Sequence, residues 1–250
     1  MSVINFSELP ISTLATYLKS ATHLNQQDIL PLSISATTEP SYPIGTNIDI
    51  YHFKQQWQQL HKQSIQNEPL QYISSTESIE KQQVDWLINL FDTVFAAKNV
   101  VLVRGDNDPE YFPATATHPA RIEFAHGFFQ SALHEISHWS LAGAHRRTLP
   151  DFGYWYAPDG RTEAQQKAFE QVEIKPQAIE CLFSLMCGRS FRVSQDNLHA
   201  DFDTSQSTFA IDVYHQAQLY INQPQNLPTD AKTLLTVFAF VCHDTIETGR

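Results

Sequence analysis

Apolar positions change their spacing along the chain, and each change marks an element. Val84, Trp86, Leu87, Leu90, Phe91 and Phe95 recur at helical spacing and predict an amphipathic helix. Val100-Val101-Leu102-Val103 is a continuous apolar run of strand length, followed by the turn Gly105-Asp106-Asn107-Asp108-Pro109. Arg121-Ile122-Glu123-Phe124-Ala125 alternates as a second strand does. From about Gly127 to Leu141 the spacing returns to that of a helix, and Gly143 is a natural stop. Thr162 and Gln165 have capping-box spacing and open a helix through Phe169. Pro176 lacks an N–H, so a separate helix is expected to begin near Glu173 and close at Gly188. Two more helices are expected, around Ser207 to Tyr220 and after Thr229-Asp230. The fold class that results is mixed α+β, a small sheet packed with several helices.

The first 80 residues read differently. They are polar and Gln-rich, and Pro40, Pro43 and Gly45 break the stretch from Ser33 to Asn47. Leu9 to Leu24 and Phe53 to Gln66 are possible helices that offer little core. The expected division is an appendage over 1–80 and a catalytic domain over 81–250.

Composition narrows the function classes. A net charge of −11 and no basic run longer than Arg146-Arg147 leave no field for a nucleic-acid backbone, so no nucleic-acid partner is expected. Arg146-Arg147 reads as a solvated helix end. The N-terminal residues lack the basic and apolar regions of a secretory signal, and no apolar stretch approaches the roughly 20 residues of a membrane span. A cytoplasmic protein without a membrane partner is expected. Cys181, Cys187 and Cys242 form no metal or redox spacing and read as buried small hydrophobes.

The chemistry lies in His134-Glu135-Ile136-Ser137-His138. Residues four apart leave one helix face, so two imidazoles can reach a single ion. Glu135 is a candidate catalytic base on metal-bound water. An ordinary surface helix with two histidines is the alternative, but Phe128, Phe129, Leu133, Ile136, Trp139 and Leu141 make this helix apolar around the pair. A third histidine is out of register, because Leu141 and Ala144 stand where the extended zinc-protease pattern has Gly and His. The third ligand is therefore sought among Glu170, Glu173 and Glu180 on the later helix, with Glu173 favoured at its expected first turn. Two histidines and a carboxylate suit Fe(II) oxygen chemistry and hydrolytic zinc alike. Tyr154, Trp155, Asp151 and Asp159 share one aromatic loop that either plugs the core or binds a long cationic side chain of a substrate.

Several contiguous stretches carry a resemblance. These are Phe124 to Phe129, Ser131 to Trp139, Asp151 to Tyr156, Pro158 to Arg161, Val172-Glu173, Lys175 to Ala178, Val193-Ser194 and Asp196 to Leu198. They resemble the elongation factor P hydroxylases over about Val84 to Phe240. The resemblance implies hydroxylation of a lysine of elongation factor P that already carries a β-lysyl group. It also implies Fe(II) as cofactor, O2 as co-substrate, His134 and His138 as metal ligands and Glu173 as the carboxylate. A zinc peptidase or nuclease with Glu135 as general base is the rival reading. A module holding a structural metal is weaker, since structural zinc takes four closed ligands, often cysteines.

Overall fold

Strand β1 (Val100–Gly105) buries Val100 and Leu102, and β3 (Ala120–Ala125) buries Ala120, Ile122 and Phe124. Alternation of this kind puts one face of each strand on the core. β1 and β3 pair in parallel, from Val100 opposite Ala120 to Gly105 opposite Ala125. A third strand, β2 (Glu110–Phe112), pairs antiparallel with β3 and gives the order β1-β3-β2. It has three residues, too few for the alternation to announce it.

In this computed structural model the described residues are 4–22, 49–66, 72–153, 159–197, 199–204 and 207–243. Seven α-helices complete the described fold: α1 (Ile11–Ala21), α2 (Ile50–Gln66), α3 (Tyr72–Val94), α4 (Phe129–Arg146), α5 (Glu163–Met186), α6 (Phe209–Asn222) and α7 (Thr229–Phe238). The chain continues from α7 as a π-helical turn, Ala239–His243. The mixed α+β class is as expected from the sequence. Among the described residues no helix is long and apolar enough to cross a membrane.

β3 delivers the chain to α4 through His126 and Gly127, both at positive φ (55° and 67°). Glycine takes that conformation at no steric cost, and His126 is the strained member of the pair. Two side chains secure the entry: Ser131 Oγ accepts from Ala125 N–H at 3.0 Å, and Glu80 of α3 accepts from Phe129 N–H at 2.9 Å. Phe129, Leu133, Ile136 and Trp139 are buried at helical spacing, which leaves the flank bearing His134 and His138 toward α5. Gly143, at φ 68° and ψ 171°, breaks the regular helix where the sequence places a stop.

Helix α5 corrects the expected pair of helices. It runs unbroken from Glu163 to Met186 with Pro176 inside it. The proline removes one N–H, whose partner would be the carbonyl of Val172, and Val172 is on the exposed side. There water can take the freed carbonyl, so the sequence passes through a residue that normally ends a helix. The capping box of Thr162 and Gln165 forms as expected. The helix closes with Gly188 at φ 71° and Arg189 N–H donating to Ser184 O at 2.9 Å.

The little core expected of residues 1–80 is a second correction. Phe6, Leu9, Leu14, Leu18, Phe53, Trp57 and Leu60 are buried in one cluster with α3, the sheet and α4. Trp57 is 1% exposed and touches both Trp86 and Phe129, the first residue of α4. Only three or four apolar residues per helix are needed for such packing, so a Gln-rich helix supplies them without looking apolar on average.

A third correction concerns Arg147. It is no solvated helix end, for its guanidinium lies 3.8 Å from the centre of the Trp139 ring, donates to Trp139 O and pairs with Asp230 at 2.6 Å. All three cysteines are buried, as expected.

Candidate metal centre

Two polar stripes face each other across the α4–α5 contact. On α4 the stripe is Gln130, His134 and His138, each four residues after the last. On α5 it is Glu173, Gln177, Glu180 and Ser184 at spacings of four, three and four. Such spacing aligns side chains along one helix face. Helix α5 is buried almost throughout this region, so a row of four polar residues there calls for polar partners.

At one end of the contact three ligand-type groups converge. His134 Nε2 and His138 Nε2 lie 3.1 Å apart. Glu173 offers one carboxylate oxygen 3.3 Å from His138 Nε2 and the other 3.7 Å from His134 Nε2. Protein nitrogen and oxygen ligands bind first-row divalent ions at about 2.0–2.2 Å, so ligands of one ion lie no more than roughly 4.4 Å apart. These separations fit a shared ion. Among the described residues these three form the one group of metal-ligand type found within such reach. Glu173 is 2% exposed, and its other contact is Gln177 Nε2 at 3.4 Å. Gln177 is itself fixed by exchanging hydrogen bonds with the Ser194 backbone at 2.8 and 2.9 Å.

Glu173 sits mid-helix and not in the expected first turn, so the helix dipole is not what favours a carboxylate there. Its position opposite the histidines comes from the register of α5 against α4. The other two candidates are engaged elsewhere. Glu170 accepts from Gln166, Gln195 and Ser207. Glu180 takes the Nδ1 side of His134, at 2.7 Å, away from the Nε2 atoms. Sequence reasoning offers Glu180 only as a candidate ligand and does not single out Gln130 or Gln177. The available signal was the polar stripe at three- and four-residue spacing within an otherwise apolar helix.

Electrostatics follow this geometry. Burial disfavours a charged His134, but the hydrogen-bonded Glu180 carboxylate, with Glu173 and Glu135 beside it, lifts its pKa to about 10. Burial likewise disfavours a charged Glu173, yet His138 and His134 hold its pKa down to about 2. Without an ion, a proton on His134 supplies positive charge at the centre. Glu135 points to the neighbouring face and is half-buried. Burial raises its pKa, partly offset by the two histidines.

The proposed substrate residues fare unevenly. Tyr154 and Trp155 lie outside the described residues. Asp151 is exposed, and its Oδ1 accepts from Tyr111 N–H at 2.9 Å, which ties the loop to β2. Neighbouring Phe152 is buried and stacks on Tyr111 with ring centres 4.1 Å apart. Asp159 is exposed and contacts the His199 ring at 2.5 Å, and hydrogen bonds from His199 hold its pKa down.

Comparison with known proteins identifies the family. A sequence model of the family described as elongation factor P hydroxylase matches residues 90–248. The elongation factor P lysine hydroxylase of Haemophilus influenzae is 43% identical over 156 residues, which are 62% of this chain and 86% of that protein. The match takes in both stripes and all three convergent groups. By the extent of that match, this chain belongs to the elongation factor P hydroxylase family.

Proposed function

We propose that this chain hydroxylates a lysine side chain of elongation factor P, in the form that already carries a β-lysyl group. The observation that carries the chemistry is the convergence of His134, His138 and Glu173, two neutral donors and one anionic donor on two packed helices. His134 Nε2, His138 Nε2 and the Glu173 carboxylate would hold a divalent ion, Fe(II), leaving coordination positions free. When bound, that ion supplies the activation of O2. Overall, one oxygen atom would enter a C–H bond and the other would leave as water, with two electrons from a reductant and two protons.

The chain's own residues position and exclude. Leu133, Ile136 and Phe183 are buried around the polar stripes and keep bulk water from the inner side of the site. Glu173 is an anionic donor whose carboxylate stays ionised across the working range, since its pKa is near 2. Glu135, on the adjoining face, is proposed to hold or pass a proton. The same residue would be the base in a zinc hydrolase, but the family relationship favours hydroxylation. Tyr154, Trp155, Asp151 and Asp159 are proposed to receive the long cationic side chain. Mass spectrometry of β-lysylated elongation factor P after incubation with the protein, Fe(II), O2 and a reductant tests the function. Gain of one oxygen atom on the modified lysine is expected. No gain, with cleavage of a peptide or nucleic acid instead, would overturn the reading.

A further inference from the structure

The Nδ1 side of His134 carries a construction that metal ligation by itself does not require. Glu180 Oε2 lies 2.7 Å from His134 Nδ1, and Glu180 is 6% exposed. Its second oxygen accepts from Gln130 Nε2 at 2.5 Å. Gln130 also donates to Ser184 Oγ at 2.9 Å, and the Ser184 hydroxyl donates back to the Glu180 carbonyl at 2.7 Å. The carboxylate is thus held at both oxygens, between one residue a turn before His134 on α4 and one a turn after itself on α5.

A histidine has two ring nitrogens, and a carboxylate can only accept. Its position at Nδ1 keeps a proton there, so it is Nε2, on the side of Glu173 and His138, that gives up its proton and offers a lone pair when an ion binds. We propose that Glu180 is a positioning residue for the metal centre: it fixes His134 in the Nδ1–H form, aims Nε2 at the ion and raises the donor strength of the imidazole, with Gln130 and Ser184 holding it in place. This rests on the ligand set proposed above. It also separates two acids that the sequence presents as rival ligands. Glu173 would hold the ion, and Glu180 would act through His134. The arrangement is asymmetric, since among the described residues the His138 ring has contacts to protein acceptors through Nε2 alone.

The test compares metal affinity in the full chain, using Fe(II) under anaerobic conditions and Co(II) as an optical probe. Glu180→Ala should weaken binding about 10- to 100-fold, the usual effect of removing a carboxylate behind a ligating histidine. Glu180→Gln still accepts from Nδ1–H but without charge, and should recover most of that loss. Nitrogen-15 spectra of the histidines should show His134 with its proton on Nδ1 in the wild-type complex, and a mixture in Glu180→Ala. Should the alanine variant fail to fold, Glu180→Gln carries the test alone. It should bind several-fold more weakly than wild type and show the His134 Nδ1–H resonance moved upfield. Unchanged affinity and an unchanged cobalt spectrum in a folded Glu180 variant would overturn the proposal while leaving the ligand set standing. If the wild type binds no ion, or His134→Ala binds as well as wild type, the ligand set itself fails and this role falls with it.

Discussion

Trp57 of α2 lies against Trp86 of α3, with ring centres 4.6 Å apart and planes tilted by 40°. The Trp86 indole N–H reaches across to donate to the Phe53 carbonyl at 3.1 Å. On its other side Trp57 meets Phe129, where the histidine-bearing helix begins. Removal of residues before Gln82 would strip this contact and expose the apolar faces of α3 and of the π-helical turn after α7. A chain beginning near Gln82 should therefore be poorly soluble and bind metal weakly. Trp57→Ala in the full chain should cost about 3–5 kcal/mol of stability, the range for truncating a buried aromatic residue. Denaturant unfolding measures it, and a soluble, metal-binding truncation would overturn this expectation.

His134→Ala and His138→Ala should each remove most metal binding while leaving the helical signal in circular dichroism intact. Both side chains project from a helix whose stability rests on the opposite, apolar face. Glu173→Ala should behave likewise, and Glu170→Ala should retain the metal because Glu170 serves the Gln195 and Ser207 contacts instead. Metal content by elemental analysis separates these outcomes. Full occupancy in either histidine variant would remove the ligand assignment.

How much of this was legible in the sequence differs from place to place. The histidine pair was readable because i,i+4 spacing is a local property of one helix. Gly143 and the Thr162 capping box were readable for the same reason. Glu173 was named from the sequence for a reason that the structure does not support, since its place depends on the register between two helices. Pro176 misled because a proline's cost depends on whether the orphaned carbonyl can reach water, which sequence does not state. The core contribution of α1 and α2 was missed because average polarity hides a narrow apolar stripe. Glu180 looked like a competing ligand, and only the distance to Nδ1, not to Nε2, assigns it another place.

Metal binding should release protons. In the metal-free protein His134 keeps its second proton until the pH approaches about 10, and an ion at Nε2 must displace it. Close to one proton per ion should appear between neutral pH and about 9, and affinity should rise roughly tenfold per pH unit over that span. Calorimetry in buffers of different ionisation enthalpy reads the proton count directly; a count of zero would mean that His134 is neutral before the ion arrives. The same shifts bear on the metal-free fold. The raised His134 contributes stability that is fully present below its ordinary value of 6.5 and is lost as pH rises through about 10. The lowered Glu173 contributes stability present above its ordinary value of 4.5 and lost as pH falls through about 2. Support from this pair is therefore greatest between those two ordinary values, and metal-free melting temperatures should fall on either side.

Substrate recognition should separate the two aspartates of the aromatic loop. Asp151 also holds the Tyr111 N–H through Oδ1, so Asp151→Ala should lower thermal stability as well as substrate affinity. Asp159 is exposed, and its partner His199 is exposed as well, so solvent screens the contact and little stability rests on it. Exchanging that contact for a substrate ammonium group would cost little. Tyrosine and tryptophan faces attract such a cation by roughly 0.5–2 kcal/mol, which gives Tyr154 and Trp155 a matching part. This chain is acidic overall, so long-range attraction favours cationic groups of any kind and discrimination has to come from contacts at the site. Asp159→Asn, Tyr154→Ala and Trp155→Ala should each raise KM for β-lysylated elongation factor P several-fold with the metal retained. Elongation factor P without the β-lysyl group should be a poor substrate for the wild type, and the variants should narrow the gap between the two forms. Equal rates of the wild type on both forms would remove the case for a pocket that reads the β-lysyl group. Loss of metal in the Tyr154 variant would instead make the loop part of the structural support of the centre.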